Sequence, residues 1–337
     1  KKAMLLKAYG SGRGVYEAGK DGVKRDFPDF TQKDIEALEN RNLEDAARVE
    51  EACARCSARV ISYNDGDYPA LLKEIPDPPT VIYVRGSLPE GHRLHIAMVG
   101  RRKASAAGMK NAAEIAYELS KNGVVIVSGM ADGIDGSSHK GALDGGSPTV
   151  AVLGTAIDRC YPAKHAGLMR DIIANGAVIS EYPPGVAAFP GNFLLRNRII
   201  SGMSRGVFVV EAGLKSGSLV TAKRAVEQNR DVFAAPGPIG TEYYAGTNSL
   251  IKEGACMATC AADILREYPD FRFERASKTT EKRKQEDPVL AAIGKIAHLD
   301  DIAERLDMDP GEAMAMLTML EIEGKVRQRP GNYFETI

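Results

Sequence analysis

Six short apolar runs recur between His95 and Gly237: IAMVG, VVIVSG, TVAVLG, AVISE, GVFVVEA and DVFAAPG. Each gives way to a loop rich in glycine or other small residues. Runs of this length without alternation have no face to give to water, so strands built from them must be covered on both sides. The intervening segments, such as Gly108 to Lys121 and Ser218 to Gln228, repeat apolar residues at helical spacing. A series of strand, helix, strand predicts an α/β fold class: an extended Rossmann-like parallel sheet core over residues 95–270. In such sheets ligands bind in the crevice outside the carboxyl ends of the strands.

The flanks have a different grammar. Residues 1–57 mix Gly10, Gly12, Gly14 and Gly22 with amphipathic pieces at Lys33 to Leu38 and Leu43 to Cys53, which predicts a small helical module. Residues 58–94 read as a connector with extended strands at Arg59 to Tyr63 and Val81 to Val84, a turn at Asn64 to Gly66 and a short helix near Leu71. Residues 271–287 are charge-dense without apolar periodicity, the composition of a linker. Residues 288–337 then offer helical pieces at Val289 to Ile296, Asp300 to Leu306 and Pro310 to Gly324, followed by a hairpin around RPGN, a winged-helix pattern.

Lysine and arginine number 44 against 45 acidic residues, a formal net charge of -1, so any affinity for nucleic acid must come from local clustering. No run is long enough to span a bilayer and the start lacks a signal-peptide core, which predicts a cytoplasmic protein without a membrane partner. The five cysteines are an odd count that suits reduced thiols. A zinc site split across Cys53, Cys56, Cys256 and Cys260 would need a long gap and has no histidine at ligand spacing. No metal and no cofactor are expected.

The assumed fold gathers the strand-end loops at one crevice. They carry Arg101, Arg102, Lys103, Lys164, Arg196, Arg198 and Lys215, with Tyr161, Tyr182, Phe189 and Phe193 interleaved. Cations for phosphates and ring faces for bases suit a single-strand nucleic-acid groove. Two helix starts, at Ser105 to Gly108 and at Lys215, Ser216, Gly217 and Ser218, offer backbone N–H groups to an anion, although plain N-capping by Ser105 and Ser218 accounts for them equally well. Neither matches the glycine spacing of a dinucleotide or Walker loop. Asp135 and His139 share a helix face, but no third group accompanies them, and a structural role for both is favoured over catalysis.

The segment RNRIISG adds a question of partners. Near Arg196 and Arg198 the acidic residues are Glu181 and Glu211, both more than ten positions away, so the expected partner lies outside the chain. On a helix the two arginines are separated by about 200° and cannot grip one phosphate. Arg198 is expected to line the anion pocket with Arg102 and the N–H groups of Ser216 to Ser218, Arg196 to hold the adjoining loop or the next phosphate, and Asn197 to bond loop backbone. The winged-helix segment is different again. From Ser277 onward nine basic residues face twelve acidic ones, and PGEAMAMLTMLEIEG carries no cation, which favours protein contact over duplex reading.

The motifs GRRKAS, SGMADGIDGSSHKGAL, YPAKH, ISEYPPG, NFLLRNRIISG, VVEAGLKSGSLVTA and AAPGPI with GTNSLIKEGA, in this order, resemble the DNA-processing protein A (DprA/Smf) family. The resemblance implies a non-enzymatic protein that binds and protects single-stranded DNA and loads the RecA recombinase in natural transformation and homologous recombination. It also implies a homodimer, a sterile-alpha-motif-like N-terminal module and a C-terminal winged helix. By motif position the family's DNA pocket falls on Gly100, Arg102, Phe193, Arg196 and Arg198. The sequence departs from the family in having Asp132 where an arginine is usual, Arg101 in place of a small hydroxyl residue and Pro190 where some members carry lysine. This implies that one cation has moved from the second loop to the first. A Rossmann-like nucleotide phosphoribohydrolase is the alternative, but its PGGxGT signature is missing from EAGLKSGSLVTA. A dinucleotide-dependent redox enzyme would need a glycine fingerprint that is also missing.

Overall fold

The computed structural model describes residues 1–36, 38–39, 42–271, 288–293, 296–306, 308–322 and 326–336. These fall into two compact units, Lys1–Ser277 and Lys278–Ile337. In the first unit two connector strands, β1 (Arg59–Ser62) and β2 (Val81–Gly86), precede the six apolar runs. The runs form β3 (His95–Gly100), β4 (Val125–Ser128), β5 (Thr149–Leu153), β6 (Ala177–Ser180), β7 (Gly206–Glu211) and β8 (Asp231–Ala234), and β9 (Cys256–Met257) ends the sheet.

The strand order is β1-β2-β6-β5-β4-β3-β7-β8-β9. Every pairing from β6 across to β9 is parallel. The connector strands add antiparallel at the other edge, Arg85 opposite Val178 and Ile61 opposite Ile82. The connector is thus part of the sheet, and the two-residue β9 at the far edge is too short to carry a periodic signal. The chain steps outward from β3 to β6, then returns to place β7 on the other side of β3. That reversal sends the connections after β3 and β7 to opposite faces and leaves a crevice between them.

Helices cover both faces, as the two-sided apolar runs require. Four lie before the sheet: α1 (Lys2–Tyr9), α2 (Gly12–Asp26), α3 (Gln32–Glu36) and α4 (Glu44–Arg55). Then come α5 (Ala70–Lys73), α6 (Ala106–Lys121), α7 (Ile134–Gly145), α8 (Ala166–Asn175), α9 (Asn192–Gly202), α10 (Gly217–Glu227), α11 (Ala245–Lys252) and α12 (Ala261–Arg266). Along β3, Ala97 and Val99 join Ile199 and Ile200 of α9 and Ala222 of α10 in one core. Ile96 and Met98 point the other way, into a second core with Ala112, Ala116 and Leu119 of α6. Alternate residues of one strand thus feed two buried layers.

The N-terminal helices hold a small core of their own around Leu5, Val23 and Ile35. Leu6 reaches past it into the main core beside Ile61 and Tyr63, and Asn64 donates to the Leu6 and Gly10 carbonyls. Gly19 (φ 60°, ψ -170°) kinks α2 with a conformation that L side chains resist.

In the second unit, α13 (Pro288–Ile293), β10 (Ile296–His298), α14 (Leu299–Leu306), α15 (Pro310–Ile322), β11 (Val326–Arg329) and β12 (Tyr333–Thr336) enclose Ile293, Ile302, Leu317 and Phe334. Its sheet runs β10-β12-β11, all antiparallel. The helix expected to reach Ile296 ends at Ile293, and Ile296 instead pairs with Glu335. A three-residue strand abutting an apolar helix has no period long enough to be told from it. The linker expected at 271–287 lies, from residue 272 on, outside the described residues. Among the described residues no helix is long and apolar enough to cross a membrane.

Candidate nucleic-acid interface

The last position of β3 has room only for glycine: a Cβ at Gly100 would lie 2.5 Å from the Ile134 side chain and 3.0 Å from the Glu211 carbonyl. The next turn carries Arg101, Arg102 and Lys103 and enters α6 through Ser105. The Ser105 hydroxyl accepts from the Gly108 amide at 2.9 Å and donates to the Glu211 carboxylate at 2.6 Å. Glu211, fully buried at the end of β7, also accepts from the Ser105 amide at 3.1 Å. A carboxylate on the fifth apolar run therefore pins the first loop, and Gly108 has no Cβ because one would sit 2.2 Å from that carboxylate.

On the other side of the crevice the chain leaves β7 through Gly213, Lys215 and Ser216 and starts α10 at Gly217. The Ser216 side chain accepts from the Ser218 amide at 3.4 Å, so the cap lies two residues before the expected Ser218, which itself sits inside the first turn. The Ser216 amide donates to the Gly213 carbonyl at 3.0 Å and the Leu219 amide to the Ser216 carbonyl at 3.1 Å, so of the N–H groups expected to meet an anion, those of Ser216 and Ser218 are already engaged, and the helix dipole is what favours negative charge here.

The loops and α9 surround a cavity of about 620 Å³. Gly100, Arg101, Arg102 and Lys103 line it from the first loop, and Lys215, Ser216, Gly217 and Ser218 from the fifth. Phe193, Arg196 and Asn197 line it from α9, with Tyr161, Asp135 and Glu242. The Phe193 ring rests on Gly154, where a Cβ would meet it at 2.8 Å, and leans on Tyr161 with centroids 5.2 Å apart. The Arg102 guanidinium lies 5.3 Å from the Phe193 ring centroid, in cation–π range. Asn197 donates to the Gly217 carbonyl at 3.3 Å, tying α9 to the start of α10 as expected of a loop-bonding residue.

Three expected site residues do not line the cavity. Arg198 grips both oxygens of Glu181 at 2.7 Å and has Asp77 3.4 Å from its Nε, leaving its side chain only 12% exposed. Its partner is inside the chain, contrary to the reading from local sequence. Ser105 is turned toward Glu211. Lys164 is 2.9 Å from Asp132, on another loop, and stays at the surface.

The role expected of Arg198 is therefore not met, since it braces the loop after β6; Arg196 lines the cavity wall and, as expected of it, holds neighbouring backbone. Arg196 is buried and donates to the carbonyls of Gly129 (2.8 Å) and Val152. Burial pushes its guanidinium down to about 10, with the nearby Asp135 carboxylate opposing. Asp135 itself is raised by burial, with Arg196 pulling the other way, and it accepts from the Ala131 amide at 3.4 Å. His139 is fully buried with Nδ1 2.8 Å from the Thr149 hydroxyl, and burial lowers it to about 3. The Thr149 hydroxyl donates to the Ile126 carbonyl at 2.7 Å, so it accepts from His139, whose Nε2 then has no partner. That is a packed neutral histidine, and the hydroxyl beside it is buried and committed to a backbone carbonyl.

Among the described residues Arg102, Lys103, Arg196 and Lys215 are the cavity cations with no ion pair, but Arg196 is committed to two carbonyls, so Arg102, Lys103 and Lys215 are the open ones; Arg101 is paired with Glu242 at 3.3 Å. Glu242 stands on the loop after the sixth run, carrying PGPIGTEYY, which bears no lysine or arginine yet reaches the same mouth. The hold of Glu211 on Ser105 joins residues 106 positions apart and has no local signal in the sequence.

Residues 59–269 match the family model described as DNA recombination-mediator protein A, and residues 274–332 the model described as DprA winged helix domain. Protein Smf of Escherichia coli K12 is 39% identical over 278 residues, covering 79% of this chain and 74% of its own. The X-ray structure of DNA processing protein A from Streptococcus pneumoniae superposes with a TM-score of 0.62 at 34% identity, over 79% of this chain and 98% of that one. DNA processing protein A from Helicobacter pylori, whose structure concerns its single-stranded DNA binding mode, gives 0.56 at 28% identity, over 62% and 94%.

Proposed function

The chain belongs to the DNA recombination-mediator protein A family, and from that premise we propose that its crevice binds single-stranded DNA, which the protein protects and passes to the RecA recombinase in natural transformation and homologous recombination. The observation that carries this reading is the cavity between the first and fifth loops. It combines three cations that no carboxylate pairs, Arg102, Lys103 and Lys215, with an aromatic shelf of Phe193 and Tyr161 and the positive end of the α10 dipole. Phosphates would meet the cations near the start of α10, and a base would stack on the shelf.

Binding without catalysis is supported by the state of the nearby acids. Glu211 is spent on Ser105 and Asp135 lies buried beside Arg196, so neither stands open to a substrate as a general base. The protein acts as a homodimer in the cytoplasm, a reading taken from the family. The winged helix serves protein contact: the described face of α15 exposes Met316 and Met319 and no lysine or arginine.

A titration of labelled oligo-dT across a salt series, with duplex as competitor, tests the reading. The expected result is binding that weakens with salt and resists duplex. Equal competition by duplex, or no binding at low salt, overturns it. RecA loading is tested separately, by whether the protein speeds RecA filament formation on DNA already coated with single-strand binding protein.

A further inference from the structure

Arg101 is the cavity cation that the protein itself neutralises. Its Nη1 lies 3.3 Å from the Glu242 carboxylate, and its guanidinium sits 4.5 Å from the centroid of the Tyr243 ring. Both partners come from the loop that follows β8. On its inner side Nε is 4.0 Å from the Glu211 carboxylate. The Arg101 backbone is fixed at both ends: the amide donates to the Glu211 carbonyl at 2.9 Å and the carbonyl accepts from Ile134 at 3.2 Å. Gly213 backs the pair closely, since a Cβ there would stand 3.1 Å from both Arg101 Nη1 and the Glu242 carbonyl oxygen.

The two carboxylates differ in what they can do. Glu211 is fully buried and already bonded to Ser105. The Glu242 side chain is 83% exposed against 21% for Arg101, and it lies at the mouth of the cavity. An exposed ion pair of this kind is weak, because water and salt screen it and two long side chains must be held together. A phosphate offers a guanidinium two oxygens in a planar, bidentate arrangement and competes well for it.

Resting on the single-stranded DNA reading above, we propose that Glu242 is a competing counter-charge that occupies Arg101 until a phosphate of the entering strand displaces it. Glu242 thereby sets both the affinity of the pocket and its response to salt. In the native protein a phosphate on Arg101 releases a counterion from the DNA, while the displaced carboxylate takes up a cation. Arg101 therefore adds little to the net ion release. Removing the carboxylate opens the outer face of the Arg101 guanidinium to the strand, with the buried Glu211, already bonded to Ser105, still 4.0 Å behind its Nε.

The experiment is equilibrium binding of labelled oligo-dT to the full chain across a salt series, for the native protein, Glu242→Gln, Arg101→Gln and the double variant. Glu242→Gln is expected to bind about three-fold tighter at low salt and to steepen the log–log salt slope by about 0.7. In the Arg101→Gln background the same substitution should change neither. Unaltered affinity and slope in Glu242→Gln overturn the proposal. So does a gain that persists without Arg101, which would mark a diffuse charge effect, or a loss of affinity, which would make Glu242 a direct DNA contact. If Arg101→Gln does not fold, the slope of Glu242→Gln alone decides. A native protein that fails to bind oligo-dT sinks the single-strand reading instead, so the two failures are distinguishable.

Discussion

Replacing Arg102 with alanine takes away a cation that no carboxylate in the described structure neutralises, and the guanidinium stacked on Phe193 with it. With three open cations in the cavity, log K should fall against log salt with a slope near -2, from about 0.7 per phosphate on a single strand. Between 50 and 200 mM salt that corresponds to roughly a twenty-fold loss of affinity. With Arg102→Ala two cations remain, the slope drops to about -1.4, and the same change in salt costs roughly seven-fold. Loss of the cation–π contact adds about 0.5–1 kcal/mol of shelf disorder that does not vary with salt. Fluorescence anisotropy of labelled oligo-dT at four or more salt concentrations separates the two effects, because one changes the slope and the other the intercept. Lys215→Ala should reproduce the slope change without the intercept term. A native slope near zero, or one that Arg102→Ala leaves where it was, would refute the argument that open cavity cations carry the strand.

Arg198→Ala should leave that slope unchanged, since its charge is already satisfied by Glu181. It should instead lower stability by about 2 kcal/mol in denaturant melts, less than for a fully buried pair because Glu181 keeps some water; a changed slope with native stability would return Arg198 to the interface. Phe193→Leu should weaken binding by about 1–3 kcal/mol per stacked base with the salt slope retained, and an unaltered affinity would remove the shelf from the reading. Stability should also fall with acid. Burial lowers His95 to about 4 and His139 to about 3, whereas the unfolded chain protonates near the ordinary histidine value of about 6.5. Between pH 7 and 5 the unfolded state therefore takes up protons that the folded state refuses, costing about 2 kcal/mol per histidine. His139→Gln should roughly halve that pH dependence, and a flat profile in the native protein would contradict the burial of both rings.

The parallel core was legible because its signal is local. Runs such as VVIVSG and GVFVVEA have no polar face, so they must be central strands, and the helical segments between them leave few other topologies. The helical separation of Arg196 from Arg198 was legible for the same reason, from the pitch of α9 alone. Where the period was too short the reading failed: β9 spans two residues and β10 three, and neither length distinguishes a strand from its surroundings.

By itself, then, the sequence determined the sheet, the crevice at its reversal and the set of cations and rings that could gather there. Only the tertiary structure decided which of those cations remain open. Arg198 meets Glu181 from 17 positions away and Asp77 from further still, and Arg101 meets Glu242 across 141. Lys164 is taken by Asp132 on another loop, and Arg196 turns inward to two carbonyls. Ion pairing acts over a few ångströms of space with no regard for separation along the chain. Looking for acids within ten residues of an arginine therefore cannot reveal its partner. The fold brings those charges together, and what it leaves unpaired, Arg102, Lys103 and Lys215, is what the crevice can present to a ligand.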